Sequence, residues 1–235
     1  MILKILRGNK KQEMRSLIKQ VDKQRWTPLH YAAYVGRDNM AVVLLQDDRS
    51  IAYMKDAKDM TALHIAAHRG HHWVMKYILK YCPDCCELVD KRGWNALHFA
   101  VNSSSSYWTK YDDDSFLAKF GPGNILKKSS ISNLLNKKDA DGNTPLHHHS
   151  KSLHYIKDVI CHDRVDKMAF NKQNLNAYDI ALTSEELSDK KVKENFSLFH
   201  GIFFSNGNYE DDIVSFFSFQ CCIFISYLYL LKNIN

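Results

Sequence analysis

Hydrophobic and polar positions fall along this chain at helical spacing, in pairs of short segments. Leu29-His30-Tyr31-Ala32-Ala33 and Leu63-His64-Ile65-Ala66-Ala67 are compact apolar runs that end at Gly36 and Gly70, and a glycine just past such a run is a common left-handed helix stop. A second apolar stretch follows each: Met40, Val42, Val43, Leu44 and Leu45, then Val74, Met75, Ile78 and Leu79. The spacing predicts a helix in every case. The small Ala32-Ala33 and Ala66-Ala67 pairs allow close packing, so the pattern predicts an all-α chain of stacked helix pairs.

The pairs are copies. Trp26-Thr27-Pro28-Leu29-His30-Tyr31-Ala32-Ala33 returns as Met60-Thr61-Ala62-Leu63-His64-Ile65-Ala66-Ala67 and as Trp94-Asn95-Ala96-Leu97-His98-Phe99-Ala100-Val101. Leu29, Leu63 and Leu97 are 34 residues apart. A fourth copy, Asn143-Thr144-Pro145-Leu146-His147, comes 49 residues after Leu97, and a weaker fifth runs from Leu175 to Leu182. Pro28 and Pro145 suit the first turn of a helix, where a missing N–H is not missed. Thr27, Thr61 and Thr144 stand where a side-chain oxygen can satisfy a helix-start N–H.

These segments resemble the ankyrin repeat, whose signature is Thr-Pro-Leu-His-x-Ala at a period near 33. The resemblance implies a solenoid of helix-turn-helix repeats in which the Thr and His hydrogen-bond within and between repeats, at His30, His64, His98 and His147. An Asp precedes each motif, at Asp22, Asp56, Asp90 and Asp139, and three residues on the family has Gly at a turn of positive φ. Gly93 and Gly142 match, Asp59 and Asn174 tolerate that conformation, and Arg25 departs from it, which predicts local strain or an altered turn.

On this reading residues 1–21 are a partial repeat, carrying Ile2, Leu3, Ile5, Leu6, Leu17 and Ile18 as the last helix and loop of an upstream copy, so the chain reads as starting inside a repeat. Repeats then span about 22–55, 56–89, 90–138, 139–170 and a degenerate cap at 171–195. The third carries an insertion at 102–123, with Ser103 to Ser106, Asp112 to Asp114 and Gly121-Pro122-Gly123 reading as a solvated loop. Its aromatics Tyr107, Trp108, Tyr111 and Phe116 are expected to fold back onto the helices, and its second helix to resume over 124–136. The fourth repeat has His147-His148-His149-Ser150 in place of the Ala pair, Lys151-Ser152 where a Gly would end its first helix, and a second helix expected at 153–161.

Residues 196–235 form a hydrophobic tail. Within it, 213–231 is a 19-residue stretch without a charge, about 28 Å as a helix and so long enough for a bilayer core; a buried strand is the alternative. Pro83 to His98, and Trp26 to Tyr34, resemble the plant ankyrin membrane proteins of the accelerated-cell-death type. That resemblance implies a cytosolic array ahead of a membrane domain and a role in defence or stress signalling at the plasma membrane. The Pro-Gly-Gly signature of that membrane domain does not occur in this chain.

Composition narrows the remaining classes. A formal net charge of +6 spread over 32 basic and 26 acidic residues lacks the basic blocks that would make nucleic acid the expected partner. Six cysteines in 235 residues are too sparse for a disulfide scaffold. Cys82, Cys85 and Cys86 lack a second pair at zinc spacing and are read as structural or free thiols. In the histidine run, His148 and His149 point away from His147, which is already assigned to the repeat signature, so no metal or other cofactor is expected. No nucleophile elbow, phosphate loop, dinucleotide fingerprint or zinc-protease motif occurs, and no enzymatic activity or small-molecule substrate is expected. The expected function is protein binding by the turn tips Lys23, Gln24, Arg25, Lys58, Asp59, Lys91, Arg92, Ala140 and Asp141, with Trp26 and Trp94 either joining the interface or packing on the adjacent turn. A regulator without membrane contact is the alternative to the membrane-associated adaptor.

Overall fold

The computed structural model describes residues 12, 15–103, 133–151 and 164–183, all within one compact unit, Met1–Glu186. Among the described residues seven α-helices with defined ends follow in chain order: α1 (Pro28–Val35), α2 (Asp38–Asp47), α3 (Ala62–Arg69), α4 (His72–Tyr81), α5 (Ala96–Val101), α6 (Pro145–Ser150) and α7 (Ala177–Thr183). Among the described residues there is no strand. The first helices α1, α3, α5, α6 and α7 pack one on the next in a single row, and the second helices α2 and α4 pack on each other in a row behind it.

Leu29, Leu63, Leu97 and Leu146, the leucines of the signature, are fully buried, one each in α1, α3, α5 and α6. Leu45 in α2 and Met75, Ile78 and Leu79 in α4 close the core from behind. Each such side chain contributes roughly 1.5–3 kcal/mol by leaving water, and because the contacts run mostly to the adjacent copy, the stability belongs to the junctions. Gly36 ends α1 at φ +80°, and a Cβ there would lie 2.7 Å from the His71 ring. His71, ahead of α4, sets its Nε2 3.2 Å from the Tyr34 carbonyl of the preceding copy. The second helices end in 3₁₀ turns, Arg49–Tyr53 and Pro83–Glu87. Cys82 and Cys85 in and before the second of these point their thiols at the carbonyls of Arg49 and Ala52 in the first.

The first two residues of the expected insertion, Asn102 and Ser103, pack against the array. Asn102 donates its N–H to His98 O at 3.1 Å as the cap of α5, and Ser103 is buried with its hydroxyl on the His68 carbonyl. The chain returns as a helical turn at 133–136 with Leu134 and Leu135 buried, as the apolar spacing predicts. At the amino end, Ile18 is buried and Lys19 pairs with Asp48 at 2.8 Å. The apolar residues before position 12, the insertion aromatics, the expected helix at 153–161, the end of the fifth repeat and the tail with its 213–231 stretch lie outside the described residues. Among the described residues no helix is long and apolar enough to cross a membrane.

Candidate protein-binding surface

Between one copy and the next the chain makes a short finger, and all five fingers are built alike. The residue at the finger's base folds its side chain onto its own turn: Asp22 Oδ1 accepts the N–H of Gln24 and Trp26, Asp56 Oδ1 those of Lys58 and Met60, Asp90 Oδ1 those of Arg92 and Trp94, and Asp139 Oδ1 those of Asp141 and Asn143, all at 2.7–2.9 Å. Asn171 does the same in the fifth with Gln173 and Leu175. Short polar side chains favour such turns because they offer the backbone a partner two residues on. The turn needs one residue of positive φ, filled by Arg25 (62°), Asp59 (60°), Gly93 (81°), Gly142 (80°) and Asn174 (57°). The altered conformation expected at Arg25 is therefore the ordinary finger turn, adopted by a residue whose Cβ opposes it.

Adjacent fingers are joined through the main chain. Ala57 N–H donates to Gln24 O, Lys91 N–H to Lys58 O, Ala140 N–H to Arg92 O and Lys172 N–H to Asp141 O, at 2.8–3.3 Å. Side chains join them again. Trp26 Nε1 donates to Asp56 Oδ2 at 3.2 Å and Trp94 Nε1 to Asp139 Oδ2 at 3.1 Å, while Asn171 Nδ2 donates to Asn143 Oδ1 at 2.9 Å. Met60 occupies the equivalent place before Asp90 and has no donor. There Arg92 turns back and gives its Nε–H to Asp90 Oδ2 at 2.9 Å. Asp22 receives the Tyr31 hydroxyl at 2.7 Å instead.

Below each finger the cap residue and the histidine three places on close a reciprocal capping box, at Thr27 and His30, Thr61 and His64, Asn95 and His98, and Thr144 and His147. The far nitrogen of each ring reaches the next copy: His30 Nε2 to Met60 O at 3.2 Å, His64 to Leu88 O at 3.1 Å, His98 to Asn143 O at 3.3 Å and His147 to Leu175 O at 3.1 Å. All four rings are buried. Burial holds them neutral, pushing His64 down to about 4 and lowering His30 and His147 from the usual imidazole range.

A family model of the ankyrin repeat matches residues 24–57, and one of ankyrin repeats in three copies matches residues 49–109. Residues 24–109 carry ankyrin repeats. Both matches are to the repeat in general, and a search of curated proteins found none that matches the chain. Ankyrin repeats are protein-interaction scaffolds, and the fingers and the exposed side of the first helices are the surfaces these repeats present.

The turn tips are where the sequence places them. Lys23, Gln24, Arg25, Lys58, Lys91, Arg92, Ala140 and Asp141 are exposed and Asp59 is half-buried. The signature residues Thr27, Thr61 and Thr144 are buried beside the leucines and histidines they support, and Pro28 and Pro145 open their helices. Trp26 and Trp94 are half-buried and committed to the next finger, so of the two readings open for them the packing one describes their indoles. Arg92 is exposed but not idle: its guanidinium lies 3.8 Å over the Trp94 ring in addition to its bond to Asp90.

Residues to which the sequence reading gave no binding role lie beside this surface. Tyr31 and Tyr34 on α1 are exposed and flank Trp26, with ring centroids 5.1 and 5.5 Å away. Arg69 on α3 reaches back over Tyr34 at 4.0 Å, and Phe99 on α5 lies against Trp94 at 5.5 Å and under Arg92 at 5.3 Å. The result is a band of aromatic rings capped by guanidinium groups beside basic tips. Its signal in the sequence is variation: the places one and four after the histidines of the first three copies read Tyr31, Ile65 and Phe99, and Tyr34, His68 and Asn102, while the signature leucine and histidine repeat.

The thiols and histidines weighed for metal fall into place individually. Cys82, Cys85 and Cys86 are buried and free, and burial pushes Cys86 up to about 11. His147 serves the capping box, and His148 Nε2 reaches Asp139 Oδ2 at 2.8 Å.

Proposed function

We propose that this chain is a non-catalytic adaptor that holds a partner protein across the fingers of its first three repeats and the aromatic band beside them. The observation that carries the reading is that finger backbones are tied to one another while Lys23, Lys58 and Lys91 are exposed at the tips. A rigid main chain lets tip side chains bind without first being ordered, which lowers the entropy cost of association. Aromatic and arginine side chains are the types that dominate interface energies, and Tyr31, Tyr34, Arg69 and Arg92 supply them. The partner is a protein with acidic residues spaced to meet these tips.

The finer placement, at the cytoplasmic face of the plasma membrane in plant defence or stress signalling, is supported by the likeness of Pro83 to His98 to the accelerated-cell-death type and by the uncharged stretch 213–231. The experiment is proximity labelling by the full chain and by a Lys58→Glu/Lys91→Glu variant of equal helicity. Partners lost from the variant support the surface; identical partner sets remove it. Carbonate extraction of the full chain and of a chain ending at residue 195 tests the membrane part, and full solubility of both removes it.

A further inference from the structure

We propose that His98, Asp139 and His148 form a zinc site that clasps the third repeat to the fourth. The three side chains come from three elements, α5, the base of the fourth finger and α6, and their ligand atoms lie within 4.8 Å of one another. His98 and Asp139 are buried and His148 is half-buried, which leaves the cluster a route to solvent. Two imidazoles and one carboxylate are a common three-ligand set for zinc, with water in the fourth place. Tetrahedral bonds of about 2.0–2.1 Å put ligand atoms roughly 3.3 Å apart, so the cluster contracts modestly on binding.

The third repeat differs from its neighbours in the way a ligand histidine requires. In the other three boxes a threonine hydroxyl lies 2.7–3.1 Å from the histidine Nδ1 and can donate to it, so the ring proton sits on Nε2 and points at the next copy's carbonyl. Asn95 replaces that threonine. Its orientation is fixed because Nδ2 donates to Leu134 O at 2.8 Å and Oδ1 accepts from Leu97 and His98 N–H. Oδ1 cannot donate, yet it stands 2.8 Å from His98 Nδ1. Two acceptors so close are reconciled by a proton on Nδ1, at the expense of the longer 3.2 Å contact from Asn95 N–H to the same nitrogen. His98 Nε2 then carries a lone pair, and its 3.3 Å distance to Asn143 O is the longest of the four ring-to-carbonyl contacts.

A ring N–H held by an oxygen is the usual support of a metal-bound histidine, and the ligand atoms of His98 and Asp139 lie within 4.8 Å of each other. Asp139 is held likewise, its Oδ1 by two backbone N–H groups and its Oδ2 by Trp94 Nε1. Zinc takes the place of the proton between His148 Nε2 and Asp139 Oδ2 and releases it to solvent. The cations near the cluster, Arg92 and Lys151, oppose the metal, so the site binds zinc less tightly than a four-ligand structural site does.

The test is calorimetric titration of the EDTA-stripped full chain with zinc, beside His148→Gln and His154→Gln, with helicity followed by circular dichroism and cobalt as a spectroscopic substitute. One zinc per chain, affinity at least tenfold weaker in a folded His148→Gln and unchanged in His154→Gln, and a tetrahedral cobalt spectrum without a thiolate charge-transfer band support the site. Absence of binding, equal affinity in a folded His148→Gln, equal loss in His154→Gln, or a thiolate band overturns it. If His148→Gln loses its helicity, the wild-type cobalt spectrum decides: tetrahedral without thiolate supports the site, and octahedral or thiolate-bound cobalt overturns it.

Discussion

Trp94 donates its indole N–H to Asp139 Oδ2 at 3.1 Å, linking two fingers whose bases lie 49 residues apart in sequence. Asp139 is buried and already uses its other oxygen on two backbone amides. Trp94→Phe keeps the ring against Phe99 and removes only the donor, and hydrogen bonds to charged groups are worth about 1.5–3 kcal/mol. With Trp94 half-buried the expected loss is about 1–2 kcal/mol, read as a lower urea midpoint. An unchanged midpoint means the indole is packing alone.

Arg25 adopts φ 62° where the third and fourth fingers have glycine. The left-handed conformation costs a side-chain-bearing residue about 1–2 kcal/mol, part of which is offset by the greater freedom of glycine in the unfolded chain. Arg25→Gly is therefore expected to stabilise the array by about 0.5–1 kcal/mol in thermal or urea unfolding. Gly142→Ala is expected to do the reverse and by more, because a Cβ there would lie 2.9 Å from Lys172 N.

His64 sits in a capping box sealed by the next repeat, and burial depresses its pKa to about 4. A folded pKa below the unfolded value near 6.5 means that the unfolded chain takes up the proton first. The stability that the neutral ring contributes is complete above about pH 6.5 and is lost as pH falls towards 4. Urea midpoints taken from pH 7.5 to 4.5 are expected to fall through this window, above the range in which Asp48, held down to about 2 by Lys19 and the Ser50 contacts, titrates. A flat profile would show that the protonated ring finds a partner in the folded chain.

The tips separate by what their side chains already hold. Lys58→Glu with Lys91→Glu is expected to weaken partner binding while stability stays within about 0.5 kcal/mol, the usual range for surface changes. Arg92→Glu is expected to destabilise the array as well, by about 0.5–1 kcal/mol for an exposed pair, since it removes the donor on Asp90 and places a like charge beside it. Matching melting temperatures for the double variant and Arg92→Glu would contradict the role assigned to Arg92.

The helix pairs, the finger turns and the buried histidines were legible because each is local: Leu29 and Leu63 recur at a fixed interval, and a glycine, Asp59 or Asn174 marks the positive φ of every finger but the first, where Arg25 stands. The partners of Trp26 and Trp94 were not, because the acceptor is a carboxylate one copy away that already had a visible task in its own turn. Arg92 was read as a free tip for a related reason. Its obligation exists only because the side chain of Met60, 32 residues earlier, lacks the N–H that Trp26 and Trp94 carry, and no window around Arg92 contains that fact. Tyr31, Tyr34 and Arg69 were missed because a search for sameness between copies passes over the places where the copies differ.

The hydrogen bond from Ala140 N–H to Arg92 O matches the other three finger-to-finger bonds although the third repeat is longer than the rest. Ser103 on one side of the added length and Leu134 on the other are both buried in the array, and the step from one finger to the next is kept. Spacing in this molecule is thus metered at the finger bases, and contour length between the two helices of a repeat is a free variable. A lineage could graft new segments at that point and acquire new contacts while every older one stays in place.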